Sequence, residues 1–214
     1  MPSPRPLVVA AILFAALVGC ATTKFETSGS APTQALCESK GEHISALVLW
    51  GPRWRADQKD VPLREAAAQQ GIEQFFAESG CYSRVRVLRT VGGRPAIELS
   101  ENEIRQAALA SDLQPTKLLV IVVRELGPVI KLLGSAALVE GGTEVILDVQ
   151  ANNLIQQGTL ADFKAHWQNG GPGVIKGVAT LAEDMRAALH AALKPGSSHP
   201  MKTANPAINT DAAR

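Results

Sequence analysis

The stretch Trp50-Gly-Pro-Arg-Trp-Arg55 concentrates the residue types best suited to recognition. It holds two of the three tryptophans in the chain, next to two arginines. An indole offers a large rigid apolar surface with one donor, and a guanidinium a planar fork of donors. Both types are enriched where one protein grips another. Pro52 should turn the chain and leave Arg53, Trp54 and Arg55 facing water as a partner-binding edge. The competing reading has one tryptophan closing the core and the other lying on the surface. The remaining candidates for chemistry are weaker. His43, His166, His190 and His199 belong to no HExxH and to no close His/Cys/Asp cluster, so no metal and no cofactor is expected. There is no GxSxG, and Gly134-Ser135 falls in a strand-like run. Glu101, Glu103, Glu183 and Asp184 stand where helix capping and helix solvation place carboxylates, which leaves no acid/base couple and points away from an enzyme. Gly170-Gly-Pro-Gly173, followed by Lys176, could hold an anion on backbone amides at a helix start. Its spacing is not that of a phosphate loop, and a turn that redirects the chain is the expected role.

The elements that must position these residues begin with the N-terminal segment. Arg5 precedes an apolar run from Leu7 to Val18, the size of a secretory h-region and too short to cross a bilayer. The run closes on Leu17-Val18-Gly19-Cys20. This tetrapeptide resembles the lipobox of bacterial lipoproteins. The resemblance implies cleavage before Cys20 and attachment of acyl chains such as palmitate to Cys20. An ordinary signal peptide cut nearby, or an uncleaved anchor, are the alternatives. Ala21, where the enterobacterial inner-membrane retention pattern has Asp, implies the outer membrane, facing the periplasm. If Cys20 carries lipid, Cys37 and Cys81 remain, in a compartment where disulfides persist. A Cys37–Cys81 bridge is expected; two free thiols are the alternative.

Residues 1–19 thus read as a signal peptide, 20–42 as a lipidated N-terminus and flexible tether, 43–194 as a single periplasmic domain, and 195–214 as a disordered tail. Hydrophobic residues make up 46% of the chain, enough for a proper core. A net charge of +1 supplies no global field toward nucleic acid or anionic lipid.

Within the domain, Ile44–Trp50 and Lys117–Arg124 are near-continuous apolar runs and read as buried strands. Asp60-Val-Pro62 opens a helix whose apolar face is Leu63, Ala67, Ile72, Phe75 and Phe76. Tyr82–Arg89 alternates arginine with apolar residues, as an edge strand does. Ser100-Glu-Asn-Glu103 is a capping box. Leu132–Val139 and Glu144–Ala151 read as strands turned at Gly141-Gly142. Leu160–Trp167 alternates again, and Val174, Val178, Leu181, Met185, Leu189 and Ala192 mark a last amphipathic helix. Helix crossovers make the first three strands parallel. The expected fold is α/β (α+β): a mixed sheet of five to six strands with a parallel β-α-β-α-β start, antiparallel hairpins and a C-terminal helix. The runs 44–50 and 117–123 should be neighbours, with 82–89 outside the first.

This element order behind a lipobox resembles the α/β domain shared by the TolB amino-terminal domain, the curli-assembly lipoprotein family and ABC-transport auxiliary lipoproteins. Gly71–Val87 looks like their passage from first helix to second strand. The resemblance implies a non-enzymatic, membrane-anchored adaptor or assembly accessory that binds another envelope protein, or else a carrier of a small molecule or lipid, for example auxiliary to an ABC transport system. No nucleic-acid partner is expected.

Overall fold

In the computed structural model the described residues are 21–32, 36–37, 44–90, 98–110, 112–133, 138–155, 158–172 and 174–194. The signal segment, Cys20, His43, the Gly134-Ser135 pair, Gly173, His199 and the tail 195–214 lie outside them. β2 (Ser45–Pro52) is the strand the others are arranged around. Its apolar run is continuous because both of its faces are covered: Ala46, Val48 and Trp50 point to one layer, Leu47 and Leu49 to the other. β3 (Arg84–Arg89) and β4 (Lys117–Leu133) pair with β2 in parallel on its two sides. The helices α1 (Val61–Glu78) and α2 (Glu101–Leu109) are the crossovers that this parallelism requires. β5 (Leu138–Asn153) and β6 (Gly158–Pro172) continue antiparallel beyond β4. A short 3-10 turn, Val178–Thr180, leads into α3 (Leu181–Leu193).

The six-stranded order is β1-β6-β5-β4-β2-β3. The mixed α/β (α+β) sheet with its C-terminal helix, and the placement of β2 between β3 and β4, are as the sequence predicts. Other features are not. β1 (Thr22–Ser30) is a strand, antiparallel to β6, where the polar composition suggests a flexible tether. The reason is a weak period of two: Thr23, Phe25 and Thr27 are half-buried while the residues between them are exposed, and Phe25 lies opposite the buried Trp167. An edge strand gains most of its stabilisation from backbone pairing, which composition does not report.

The Gly141-Gly142 pair is the second departure, because it is no turn: both residues lie inside β5, opposite Ile130 and Val129 of β4. They are glycines because the backbone is crowded there. A Cβ on Gly141 would come within 2.0 Å of the Val174 oxygen, and one on Gly142 within 2.7 Å of the Asn169 oxygen. Gly170 through Pro172 likewise belong to β6, so the expected chain-redirecting turn is corrected to strand, and the alternative, an anion seat at a helix start, is not there either. The third departure is the last helix, which starts at Leu181 rather than near Val174; Val178 is 43% exposed. Leu181, Met185, Leu189 and Ala192 are buried as the spacing predicts.

α1 and α3 cover one face of the sheet, on a core that includes Trp50, Phe75, Ile121, Leu147 and Phe163. On the other face, Leu47, Leu49, Leu118 and Val120 pack against Ile104, Ala107 and Ala108 of α2. The capping box of α2 is made: Ser100 Oγ accepts from the Glu103 amide, and Glu103 reaches back to the Ser100 amide at 2.8 Å. α1 starts differently from expectation. Asp60 is in the left-handed region with φ 54° and its side chain caps nothing, and Arg64 rather than Leu63 lies on the buried face.

α1 and α3 touch at Gly71, where an added Cβ would lie 2.6 Å from the Ala182 oxygen and 2.7 Å from Met185 Cβ. In an exposed helix a Gly→Ala change stabilises by about 1 kcal/mol. Here Gly71→Ala is expected to destabilise by about 1–3 kcal/mol, the cost of overpacking. Urea unfolding decides the sign, and a stabilised variant would show that the helices do not approach this closely.

Candidate functional site

The carboxyl end of β2 carries the candidate edge. Pro52 still belongs to the strand, and the Arg53 amide donates to the Val123 carbonyl at 2.8 Å, so the chain leaves the sheet only after Arg53. Trp50 and Trp54 then part in role. Trp50 is fully buried, with the Arg89 guanidinium 5.4 Å from its ring centroid. Trp54 is half-buried: it packs on the rim of the core, and its indole N–H donates to Glu65 Oε1 at 3.4 Å. Arg53 and Arg55 are exposed.

Two carboxylates hold this loop on the frame. Glu65 of α1 accepts from Trp54 and, at 2.6 Å, from Arg89 of β3. Glu125 of β4 sits at a register shift between Val123 and Glu125, which marks a bulge. It accepts from Gln58 at 3.2 Å and from Arg64 at 3.3 Å, and Arg55 reaches its other oxygen at 3.5 Å. Arg64 is the buried member of this group. Its Nε donates to the Lys59 carbonyl at 2.7 Å and its Nη1 to the Leu126 carbonyl. The buried Arg64 and Glu125 are thus partners of opposite charge, as burial demands. The exposed Arg55 pairs add little energy. The buried Arg64–Glu125 pair fixes the loop in one geometry. Such an edge is ordered before any partner arrives, so less entropy is lost on binding.

Of the residues the sequence singles out, the structure thus keeps Arg53, Trp54 and Arg55 together and accessible. Arg64, Glu65, Arg89 and Glu125 support them. None of these four carries a signal that sequence reading could use. Arg64 occupies a helix position next to an apolar one, and Glu125 follows a strand, where a solvated charge is the ordinary expectation.

The open face of β5 and β6 holds a second polar group. His166 Nε2 lies 2.6 Å from Glu144 Oε1, which also accepts from Gln168 at 2.8 Å. His166 is half-buried and paired. Near it, Thr22, Lys24, Val129 and Gly142 line a recess of about 30 Å³. That is room for one or two waters. Among the described residues no three of His, Cys, Asp and Glu are grouped so as to hold a metal ion. Nor is any helix among them long and apolar enough to cross a membrane.

Far from the edge, Cys37 and Cys81 form a disulfide with Cα atoms 4.6 Å apart. It draws Leu36 into the core, where the Leu36 carbonyl accepts from the Tyr82 hydroxyl at 2.8 Å. Burial pushes the ionisation of Tyr82 well above its ordinary value.

No family model matches the sequence, and no curated protein is similar to it. Among solved structures, a PelC dodecamer from Paraburkholderia phytofirmans is similar at a TM-score of 0.40 and 11% identity, over 81% of this chain and 99% of that one. A neuraminyllactose-binding hemagglutinin homolog from Helicobacter pylori gives 0.36 and 14%, over 77% and 86%. A DUF330 protein from Xanthomonas campestris gives 0.35 and 14%, over 75% and 86%. At such identities no residue role passes from these proteins to this chain.

Proposed function

We propose that this chain is a non-enzymatic lipoprotein of the bacterial cell envelope, held by acyl chains on Cys20 to the periplasmic side of the outer membrane. It offers Arg53, Trp54 and Arg55 to a protein partner, as an adaptor or assembly accessory. The observation that carries this reading is the loop itself. An indole is left half in water between two exposed arginines, on a loop braced by Glu65 and Glu125. A residue serving only the core gains nothing from that exposure. The lipobox and the disulfide both fit an oxidising compartment outside the cytoplasm.

The test is a photo-crosslinker at the exposed Ala56, next to the edge, in living cells. A discrete crosslinked partner is expected. Trp54→Ala should abolish the crosslink, because hot-spot truncations of this type cost about 2 kcal/mol or more of binding. Its effect on stability should be smaller, on the order of 1 kcal/mol, since Trp54 is only half-buried. Arg53→Ala should weaken binding with the melting temperature unchanged. Crosslinking indifferent to both substitutions would contradict the proposal.

A further inference from the structure

β1 begins at Thr22, two residues after Cys20. Ala21 alone separates Cys20 from β1, two Cα steps of 3.80 Å, a reach of about 7.6 Å at most. There is no spacer between the proposed anchor and the domain. The strand registers show where that anchor emerges. Thr22 pairs with Gly170, Gly170 with Gly142, and Gly142 with Val129. β1 runs antiparallel to β6, so the chain before Thr22 heads toward the level of Gly171, Gly141 and Ile130. At that end β4 and β5 run on beyond the other strands. β2 leaves β4 at Val123, β6 leaves β5 at Glu140, and the β4–β5 pairing continues to Leu133 and Leu138.

Two bare isoleucines stand at the same end. Ile130 is 72% exposed and Ile175 is 95% exposed. Ile130 is paired directly with Gly141, so its side chain lies on the face toward which a Gly141 Cβ would point. On that face the Val174 oxygen is 2.0 Å and the Ile175 nitrogen 4.0 Å from such a Cβ. Ile130 and Ile175 therefore share one face at one end of the sheet. Single exposed apolar residues are ordinary. Ile155, 73% exposed in the turn between β5 and β6 at the opposite end, is one of these. The pair differs from it in lying at the end of the sheet where β1 starts, with Ile130 about 14 Å across the strands from Thr22.

We infer that this end of the sheet is a membrane-contact surface, on which Ile130 and Ile175 enter the interfacial layer of the bilayer that holds the Cys20 acyl chains. The inference rests on the proposed lipidation and adds a second point of attachment to it. A lipid chain alone lets a domain swing; an anchor without a spacer, with two apolar side chains at the same end of the sheet, fixes its tilt. The occupant is lipid because the anchor brings the bilayer to this end of the sheet and leaves no length of chain to lift it away. The contact is carried by two apolar side chains, so it should persist at high salt. In this orientation the Trp54 edge also faces the bilayer. It is set back along β4 by the stretch from Glu125 to Ile130, roughly 17 Å at strand rise.

The test uses the full chain purified from membranes and placed in vesicles of phosphatidylethanolamine and phosphatidylglycerol. Ile130→Cys, Ile175→Cys and Ile155→Cys are each labelled with an environment-sensitive fluorophore, the Cys37–Cys81 bridge being kept oxidised. Probes at 130 and 175 should lose most of their emission to lipids bearing a nitroxide on the acyl chain and be protected from aqueous iodide. The probe at 155 should show the reverse. The mass of the Cys20 peptide is read from the same samples. Acylated Cys20 with probes 130 and 175 in water overturns the membrane-contact surface alone. Unmodified Cys20, which would itself take the label in the parent chain, overturns the anchor and this inference with it.

Discussion

Replacing Cys37 and Cys81 by alanine is expected to lower the unfolding free energy by about 4 kcal/mol, the chain-entropy value for a closed loop of this length. The cysteines are 44 residues apart. For a domain of this size the melting temperature should fall by roughly 8–16 °C. Tyr82 supplies a local reading, because it is the one tyrosine in the chain. Its buried phenol ionises above the ordinary value, near 10, that the unfolded chain would show. A raised folded value means stabilisation that is complete below about pH 10 and is lost as pH rises toward the folded value. Alkaline titration of the parent should therefore show phenolate appearing late, together with unfolding. In the double alanine variant, with Leu36 no longer tied down, it should appear closer to pH 10. An unchanged melting temperature would mean that the bridge closes no entropy-rich loop.

Replacing Arg64 by leucine is expected to cost about 3–5 kcal/mol. The substitution removes the partner of Glu125 and the donor to the Leu126 and Lys59 carbonyls, all at the base of the Trp54 loop. The remaining Arg55 pair is exposed and compensates little. Adding Glu125→Leu should restore part of the loss, since the orphaned buried charge is then gone. Urea unfolding of the two single variants and the double one measures the coupling. A single Arg64→Leu variant within 1 kcal/mol of the parent would show that the loop is not held by this pair.

Legibility in the sequence followed the strength of the hydrophobic period. β2 and the first half of β4 are buried on both faces, and their apolar runs are unmistakable. So are the alternation in β6 and the capping box of α2, while the Cys37–Cys81 bridge follows from counting cysteines in an oxidising compartment, with two free thiols as the alternative. β1 was hidden because Thr22–Ser30 has one large apolar side chain, Phe25, and is stabilised by backbone bonds that any sequence can make. Gly141-Gly142 misleads because glycine serves turns and close strand contacts equally well. The polar frame of the candidate edge was invisible for a different reason. Arg64 meets Glu125 across 61 positions of sequence, and Glu65 meets Arg89 across 24. Long-range charge pairs leave no local pattern. The edge residues Arg53, Trp54 and Arg55 were visible only as an unusual local concentration of recognition side chains.

The start of β1 gives the lipid anchor its weight, since the acyl chains would then be fastened directly to the sheet. The most direct measurement is the mass of the N-terminal peptide of the protein isolated from its native membrane. A peptide beginning at Cys20 and carrying acyl chains on that residue is expected. A peptide beginning elsewhere with Cys20 unmodified, or lacking Cys20, would contradict it.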